Sequence, residues 1–311
     1  MPYVIAYRFR HRFNAVVHWQ KITLVGVGLL GGSLGLALKQ RGLAKRVIGF
    51  VRRPASIDEC LKKGAVDEAT LELLPAVENA DLVILCTPIA QMRELTEKML
   101  PGLKRDAIVT DVGSVKGSVV HELEPLVGRA GAHFIGSHPM AGAEKMGVNA
   151  ARADLFADAV CVVTPTPKSP AKAVRSLEEF WRSVGARPMR MKADLHDEFV
   201  SRSSHLPHVV AAELANYVLS PAHPKEQAQL CATGFRDTTR IASGSPEMWR
   251  DIALANRKNL ARVLGVFIED LQEFRLALEK ADTKAIEEFF DLARHRREKW
   301  CGEGRASSSP E

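Results

Sequence analysis

The sequence predicts an α/β domain followed by an all-α one, and three observations carry this. A short apolar run, Lys21-Ile-Thr-Leu-Val25, leads into Gly26-Val-Gly28-Leu29-Leu30-Gly31 and then a helical pattern ended by Gly42. Strand-like runs then recur at α/β spacing as far as Met191, most of them separated by helix patterns. Beyond Met191 no convincing strand follows. Strand, G-x-G-x-x-G, then helix is the context of a Rossmann-type dinucleotide-binding domain. Residues 21–192 are read as that domain and 193–301 as a helical one. Residues 1–20 read as a mobile extension or an upstream start, and 302–311 as a tail.

Composition bounds the function. The chain has 311 residues, 46% hydrophobic and 26% charged, enough for a sizeable core. The net charge is +6, with no Lys/Arg block interleaved with aromatics, so no nucleic-acid partner is expected. No apolar run approaches the roughly 18 residues that span a membrane. Five cysteines (Cys60, Cys86, Cys161, Cys231, Cys301) show no regular spacing, which suits a reduced, cytoplasmic protein. No metal site is expected.

In chain order, Gly26 makes the tight turn, Gly28 admits a pyrophosphate, and Gly31 lets the helix pack on its strand. The helix N-terminus, at Leu29 and Leu30, offers free N–H groups to phosphates. The next strand, Arg46 to Val51, ends without the Asp or Glu that usually holds the NAD ribose. Arg52 and Arg53 stand there, and either grip a 2′-phosphate or are surface charges; NADP is favoured over NAD. Later strands are read at Leu82–Thr87, Ala107–Asp111, His133–Gly136, Ala159–Thr164 and Arg187–Met191. Their ends carry Thr87-Pro88, the loop Gly113-Ser114-Val115-Lys116-Gly117, and His138 at the start of a loop of small residues. His138 is well placed for chemistry, or is a loop histidine with no role. Between the last two strands, Val174, Leu177, Trp181 and Val184 form a helical apolar stripe.

The helical part opens with a helix over 194–219, which Pro207 should kink at Ser204-His205-Leu-Pro-His208. Residues 234–246, with Arg236, Asp237 and Arg240, read as a connecting loop whose arginines suit carboxylates. A long helix from Pro246 shows Leu260, Val263 or Leu264, Phe267, Leu271, Phe274 and Leu278, a heptad-like stripe that needs a partner. Residues 285–300 form a final amphipathic helix.

Taken together, V-G-V-G-L-L-G-G-S (25–33), T-D-V-G-S-V-K (110–116), G-S-H-P-M-A-G (136–142), S-H-L-P-H (204–208) and G-F-R-D-T-T-R-I-A (234–242) with M-W-R-D (248–251) resemble the prephenate and arogenate dehydrogenases of tyrosine biosynthesis. The motifs run in family order from Lys21 to about Trp300. No mutase or regulatory segment is recognised, so the monofunctional form is expected. The resemblance implies oxidative decarboxylation of prephenate to 4-hydroxyphenylpyruvate with hydride transfer to NAD(P). It casts His138 as the acceptor of the hydroxyl proton and Ser114 as the group that hydrogen-bonds near it and the nicotinamide. Arg240 would hold a substrate carboxylate, with Ser204, His205, His208 and Trp249 as the substrate-side wall. Arogenate remains the alternative: His208 as a donor suits the pyruvyl arm of prephenate, whereas Glu144 could pair with the amine of arogenate. The resemblance also implies a homodimer through the helical domain.

Two rivals belong to other classes. A β-hydroxyacid dehydrogenase would need a catalytic lysine in a Gly-rich helix start, which nothing after Met191 supplies. An NADP-sensing regulator would keep the glycines but need none of Ser114, His138 and Arg240.

Overall fold

The computed structural model describes residues 19–143 and 145–306, so Glu144, the expected extension as far as residue 18 and the tail beyond 306 lie outside the described residues. β1 (Trp19–Val25) passes through the glycine loop into α1 (Leu29–Arg41). There follow β2 (Ala44–Phe50), α2 (Pro54–Lys62), β3 (Glu68–Thr70), α3 (Leu73–Val77), β4 (Leu82–Leu85) and α4 (Ile89–Met99). β5 (Ile108–Asp111), α5 (Gly117–Arg129) and β6 (His133–Phe134) complete the first sheet. Its six strands are parallel in the order β3-β2-β1-β4-β5-β6. The order reverses between β1 and β4, and the crevice beyond their carboxyl ends is where such a sheet takes its ligand.

Two apolar cores follow from the period-2 alternation of buried parallel strands. Ile22, Leu24, Leu82, Ile84 and Ile108 face one side, with Leu34 and Leu38 of α1. Val25, Val83, Leu85 and Val109 face the other, with Met92 of α4 and Leu123 of α5. The predicted stripe lies on the first side: Val174, Leu177, Trp181 and Val184 are all buried. Removing a fully buried side chain such as Trp181 would cost about 3–5 kcal/mol.

A second sheet was not foreseen. The run after His133 divides, because the chain leaves the parallel sheet at Ile135 and β7 (Gly136–Pro139) pairs antiparallel with β8 (Val160–Thr164). After α6 (Ala171–Ser183), β9 (Arg187–Arg190) adds in parallel on the other side of β8. His138 is therefore a strand residue opposite Val162 and not a loop residue. A side chain at Gly136 would come within 2.6 Å of Thr164 Oγ1, so only glycine lets the two strands pair this closely.

From Ala193 onward the described chain is helical. α7 (Ala193–Val200) and α8 (Leu206–Val218) are joined by a π-helical turn over Ser201–His205. The kink expected at Pro207 takes this form: proline has no N–H to give the preceding turn, and the chain absorbs an additional residue there. α9 (Glu226–Gln229) and α10 (Thr233–Thr239) come next. The expected loop over 234–246 is largely helical, α10 followed by a 3₁₀ turn over Arg240–Ser243. The Thr238 and Thr239 hydroxyls donate to the Gly234 and Phe235 carbonyls and knit it together.

α11 (Pro246–Ala255) has Ser245 as N-cap and proline at its first position. The long helix expected from Pro246 breaks at Asn256, where ψ turns to 25°, and resumes as α12 (Arg257–Glu279) and α13 (Thr283–Ala306). The described residues form two compact units, one ending at Asn256 and one beginning at Arg257. Strands stop near residue 192, but α7 packs on α5 and α11 on α4, so the first unit continues past that point. In the second unit Phe274 packs against Phe289 and Phe290. No helix among the described residues is long and apolar enough to cross a membrane.

Candidate active site

The glycine loop has the shape its sequence demands. Gly26 sits at φ +98, a conformation that side chains rarely adopt, and donates its N–H to the Phe50 carbonyl. A Cβ on Gly31 would lie 2.1 Å from the Gly26 carbonyl oxygen, so only glycine allows α1 to start so close to β1. Gly28, the N-cap, faces open space instead. The first N–H groups of α1 at Leu29 and Leu30 have no partner within the helix and point out of its positive end. Across the crevice, Thr87 follows β4 with its hydroxyl buried and without a hydrogen-bond partner, and Pro88 starts α4. A cradle that any Cβ would fill and an orphaned hydroxyl beside it both fit a dinucleotide. Arg52 and Arg53 stand exposed just past β2, with Arg53 4.0 Å from Glu59.

His138 is 7% exposed on β7. Its Nδ1 lies 2.8 Å from Nε2 of His196 on α7. The other nitrogen of His196, Nδ1, lies 2.8 Å from Asp197 Oδ1. Asp197 also caps α5: its two carboxylate oxygens accept the N–H groups of Lys116 and Gly117 at 2.7 and 2.8 Å. Beneath this lies a buried ion pair, Lys116 with Asp111, in which Asp111 also accepts the N–H groups of Gly113 and Ser137. Burial holds His138 well below the ordinary histidine value, and nearby His196, Lys116 and His205 add to this by opposing a positive ring. The ring is therefore neutral near pH 7 and able to take a proton.

Ser114, expected to hydrogen-bond near His138 and the nicotinamide, makes no bond to the His138 ring among the described residues. Ser114 is partly buried in the β5–α5 loop, and the ordered partner of His138 is His196. The histidines of the π turn do cluster. His205 is fully buried, with Nδ1 3.2 Å from the Asn256 amide nitrogen, which also donates to the Asp197 carbonyl. Burial lowers His205 to about 4, with the Asp197 carboxylate opposing. His205 Nε2 is buried without a partner. His208 stacks on Trp249 with ring centroids 3.8 Å apart and gives its Nδ1–H to the Ser204 carbonyl. That bond corrects one expectation, because the neutral His208 ring then presents an acceptor at Nε2 and not a donor. Arg240 is exposed on the 3₁₀ turn that packs against α8. It lines an open cavity of about 470 Å³ with Cys231, Phe235, Arg236, Thr239 and Ser243.

Two family models cover most of the chain: the nucleotide-binding domain of prephenate dehydrogenase over residues 34–190, and its dimerization domain over 192–292. The chain belongs to the prephenate dehydrogenase family. It is 35% identical to the prephenate dehydrogenase of Bacillus subtilis over 283 residues, spanning 89% of this chain and 75% of that one. It is 36% identical to the cyclohexadienyl dehydrogenase of Zymomonas mobilis over 276 residues, 88% of this chain and 93% of that one. Among solved structures, a prephenate dehydrogenase from A. aeolicus in complex with hydroxyphenyl propionate and NAD+ superposes with a TM-score of 0.84 at 32% identity, covering 90% of this chain and 98% of that one. The rival β-hydroxyacid class appears only as a likeness of fold, at 12–16% identity.

This prephenate dehydrogenase family member also has site residues that sequence reasoning passed over: His196, Asp197, Asn256 and the Asp111–Lys116 pair. One signal was available for the first two. His196-Asp197-Glu198 is a polar run between Leu195 and the apolar Phe199-Val200, inside a helix.

Proposed function

We propose that this NAD(P)-linked dehydrogenase oxidises and decarboxylates prephenate to 4-hydroxyphenylpyruvate, with His138 as the proton acceptor. The observation that carries the reading is a neutral histidine, buried on β7 beside β5, in a chain of this family. His138 takes the proton of the ring hydroxyl as the carbon–hydrogen bond below it breaks. NAD(P)+, when bound, supplies the acceptor for the hydride. The ring carboxylate then leaves as CO2, its bonding electrons entering the ring to make it aromatic, and His138 returns its proton to the phenolate. Gly26, Gly28, Leu29, Leu30, Gly31, Thr87 and Pro88 would hold the dinucleotide. Arg240 would pair with a substrate carboxylate, and Ser204, His205, His208 and Trp249 would wall the substrate, with the orphaned Nε2 of His205 left for a ligand oxygen.

The test is His138→Asn, which keeps the bulk and polarity but cannot take the proton. kcat should fall on the order of 10²–10⁴-fold with little change in substrate KM. A variant that keeps more than about a tenth of wild-type kcat would remove His138 as the base. One observation favours arogenate as a second reading: neutral His208 offers an acceptor, which suits an ammonium better than a keto oxygen. Comparing kcat/KM for the two substrates decides it. NADP is proposed over NAD, because Val51 directly follows β2 where a ribose-binding carboxylate would stand, and Arg52 and Arg53 come next. A homodimer is proposed through the second unit, whose Leu271, Leu278, Phe290 and Leu292 are all about half exposed or more. A cytoplasmic location suits five free cysteines.

A further inference from the structure

A histidine that acts as a base needs its lone pair on one particular nitrogen. The nitrogen that reaches substrate must be bare and the other must carry the proton. Nothing in an imidazole itself fixes this, so the fold has to.

The pieces that fix it lie in one line. Asp197 is committed as an acceptor on both oxygens, since backbone N–H groups of Lys116 and Gly117 point at them. The nitrogen of His196 that faces Asp197 Oδ1 at 2.8 Å must therefore carry a hydrogen. When the His196 ring is neutral its far nitrogen is bare, and that nitrogen lies 2.8 Å from His138 Nδ1. His138 Nδ1 must then carry the hydrogen, and Nε2 holds the lone pair. Nε2 has no partner among the described residues and is not among the polar atoms closed off from solvent. Both histidine rings are buried, at 7% and 1% exposure, so no water competes to scramble this order. The anchor is rigid, because Asp197 is fixed by the first turn of α5 and its carbonyl by Asn256.

We infer that Asp197 and His196 are positioning residues that act in series, fixing His138 in the tautomer with hydrogen on Nδ1 and the lone pair on Nε2. His138 Nε2 is then the atom that meets the substrate hydroxyl. The logic is that of a carboxylate orienting a catalytic histidine, extended by one imidazole. This rests on the reading of His138 as the base, but its key measurement does not depend on turnover.

Nitrogen-15 NMR of the full chain labelled at histidine tests it directly. His138 Nδ1 should appear protonated and Nε2 bare, with a scalar coupling across the hydrogen bond from His138 Nδ1 to His196 Nε2. A protonated Nε2 on His138, an even mixture of tautomers, or no coupling would overturn the inference. His196→Leu should lose the single tautomer and lower kcat by about 10–100-fold, with both KM values within about twofold. Unchanged kcat and tautomer in that variant would also overturn it. If His196→Leu does not fold, the coupling in the wild-type chain decides alone. Should His138→Asn remain active while the coupling is observed, the base assignment fails and the relay stands.

Discussion

Adding one methyl group at Gly31 or at Gly28 should break two different things. A Cβ on Gly31 lies 2.1 Å from the Gly26 carbonyl oxygen and 3.2 Å from Cys86 Cβ, where real Cβ atoms stay beyond 3.0 Å. To relieve the first contact, α1 must retreat from β1 by about 0.9 Å, against backbone that cannot rotate away. Overpacking costs about 1–3 kcal/mol, and a rigid neighbour puts Gly31→Ala at the upper end. For a chain of 311 residues that lowers Tm by roughly 5 °C. Gly28 has φ −89 and nothing within 4 Å of its Cβ, so the fold accepts alanine and Tm should move by no more than about 3 °C. The methyl instead occupies the space a pyrophosphate needs. Loss of charge-assisted N–H contacts of about 1.5–3 kcal/mol weakens cofactor binding roughly 10–100-fold. Scanning fluorimetry reads the first effect and a fluorescence titration with dinucleotide reads the second. Gly31→Ala with wild-type Tm, or Gly28→Ala with wild-type cofactor affinity, would refute the reasoning.

Four further outcomes are expected. Only the neutral ring of His138 can take a proton, and its value is held well below ordinary, so kcat should stay level through about pH 6.5 and fall only in more acid solution; an acid limb centred at or above 6.5 counts against this. His205 titrates at about 4 in the fold and near ~6.5 unfolded, so its contribution is full above pH ~6.5 and lost as pH falls towards 4. That difference is about 3 kcal/mol, and urea unfolding of His205→Gln at pH 7 and pH 4.5 should show a shallower pH dependence than wild type. Replacing both Arg52 and Arg53 by alanine should raise KM for NADP at least about tenfold more than KM for NAD, since a charge-assisted pair is lost only with the former; equal changes would mark them as surface arginines. Light scattering should give a dimer mass for the wild-type chain and a monomer mass for Leu271→Glu combined with Leu278→Glu; a wild-type monomer at micromolar concentration refutes the proposed interface.

Much of the first sheet was legible because buried parallel strands are continuous apolar runs and the glycine loop has few structural alternatives. β3 was not, since Glu68-Ala-Thr70 is too short to show any period. The position of His138 on a strand was hidden by its neighbours: Gly, Ser and Pro read as loop, and only pairing with β8 makes them a strand. The break at Asn256 leaves no mark in the apolar pattern, because its cause is a tertiary one, the amide reaching the Asp197 carbonyl and His205. For the site, single residues with a motif around them could be named, whereas His196 and Asp197 matter through partners 58 and 80–81 positions away. Chain order does not encode such distances.

The π-helical turn over Ser201–His205 sets an angle. Asp197 and His205, which share Asn256, are eight residues apart, and an unbroken α-helix would leave them about 80° out of line around its axis. The wider turn advances the chain by fewer degrees per residue and takes up most of that offset. The helix is thus phased, with one residue more than a regular spiral needs, so that two side chains from different turns look the same way. A chain shortened by Arg202 alone could wind a regular helix in which Asp197 and His205, then seven residues apart, stand only about 20° out of line, so the wider turn accommodates one extra residue while keeping the two in phase.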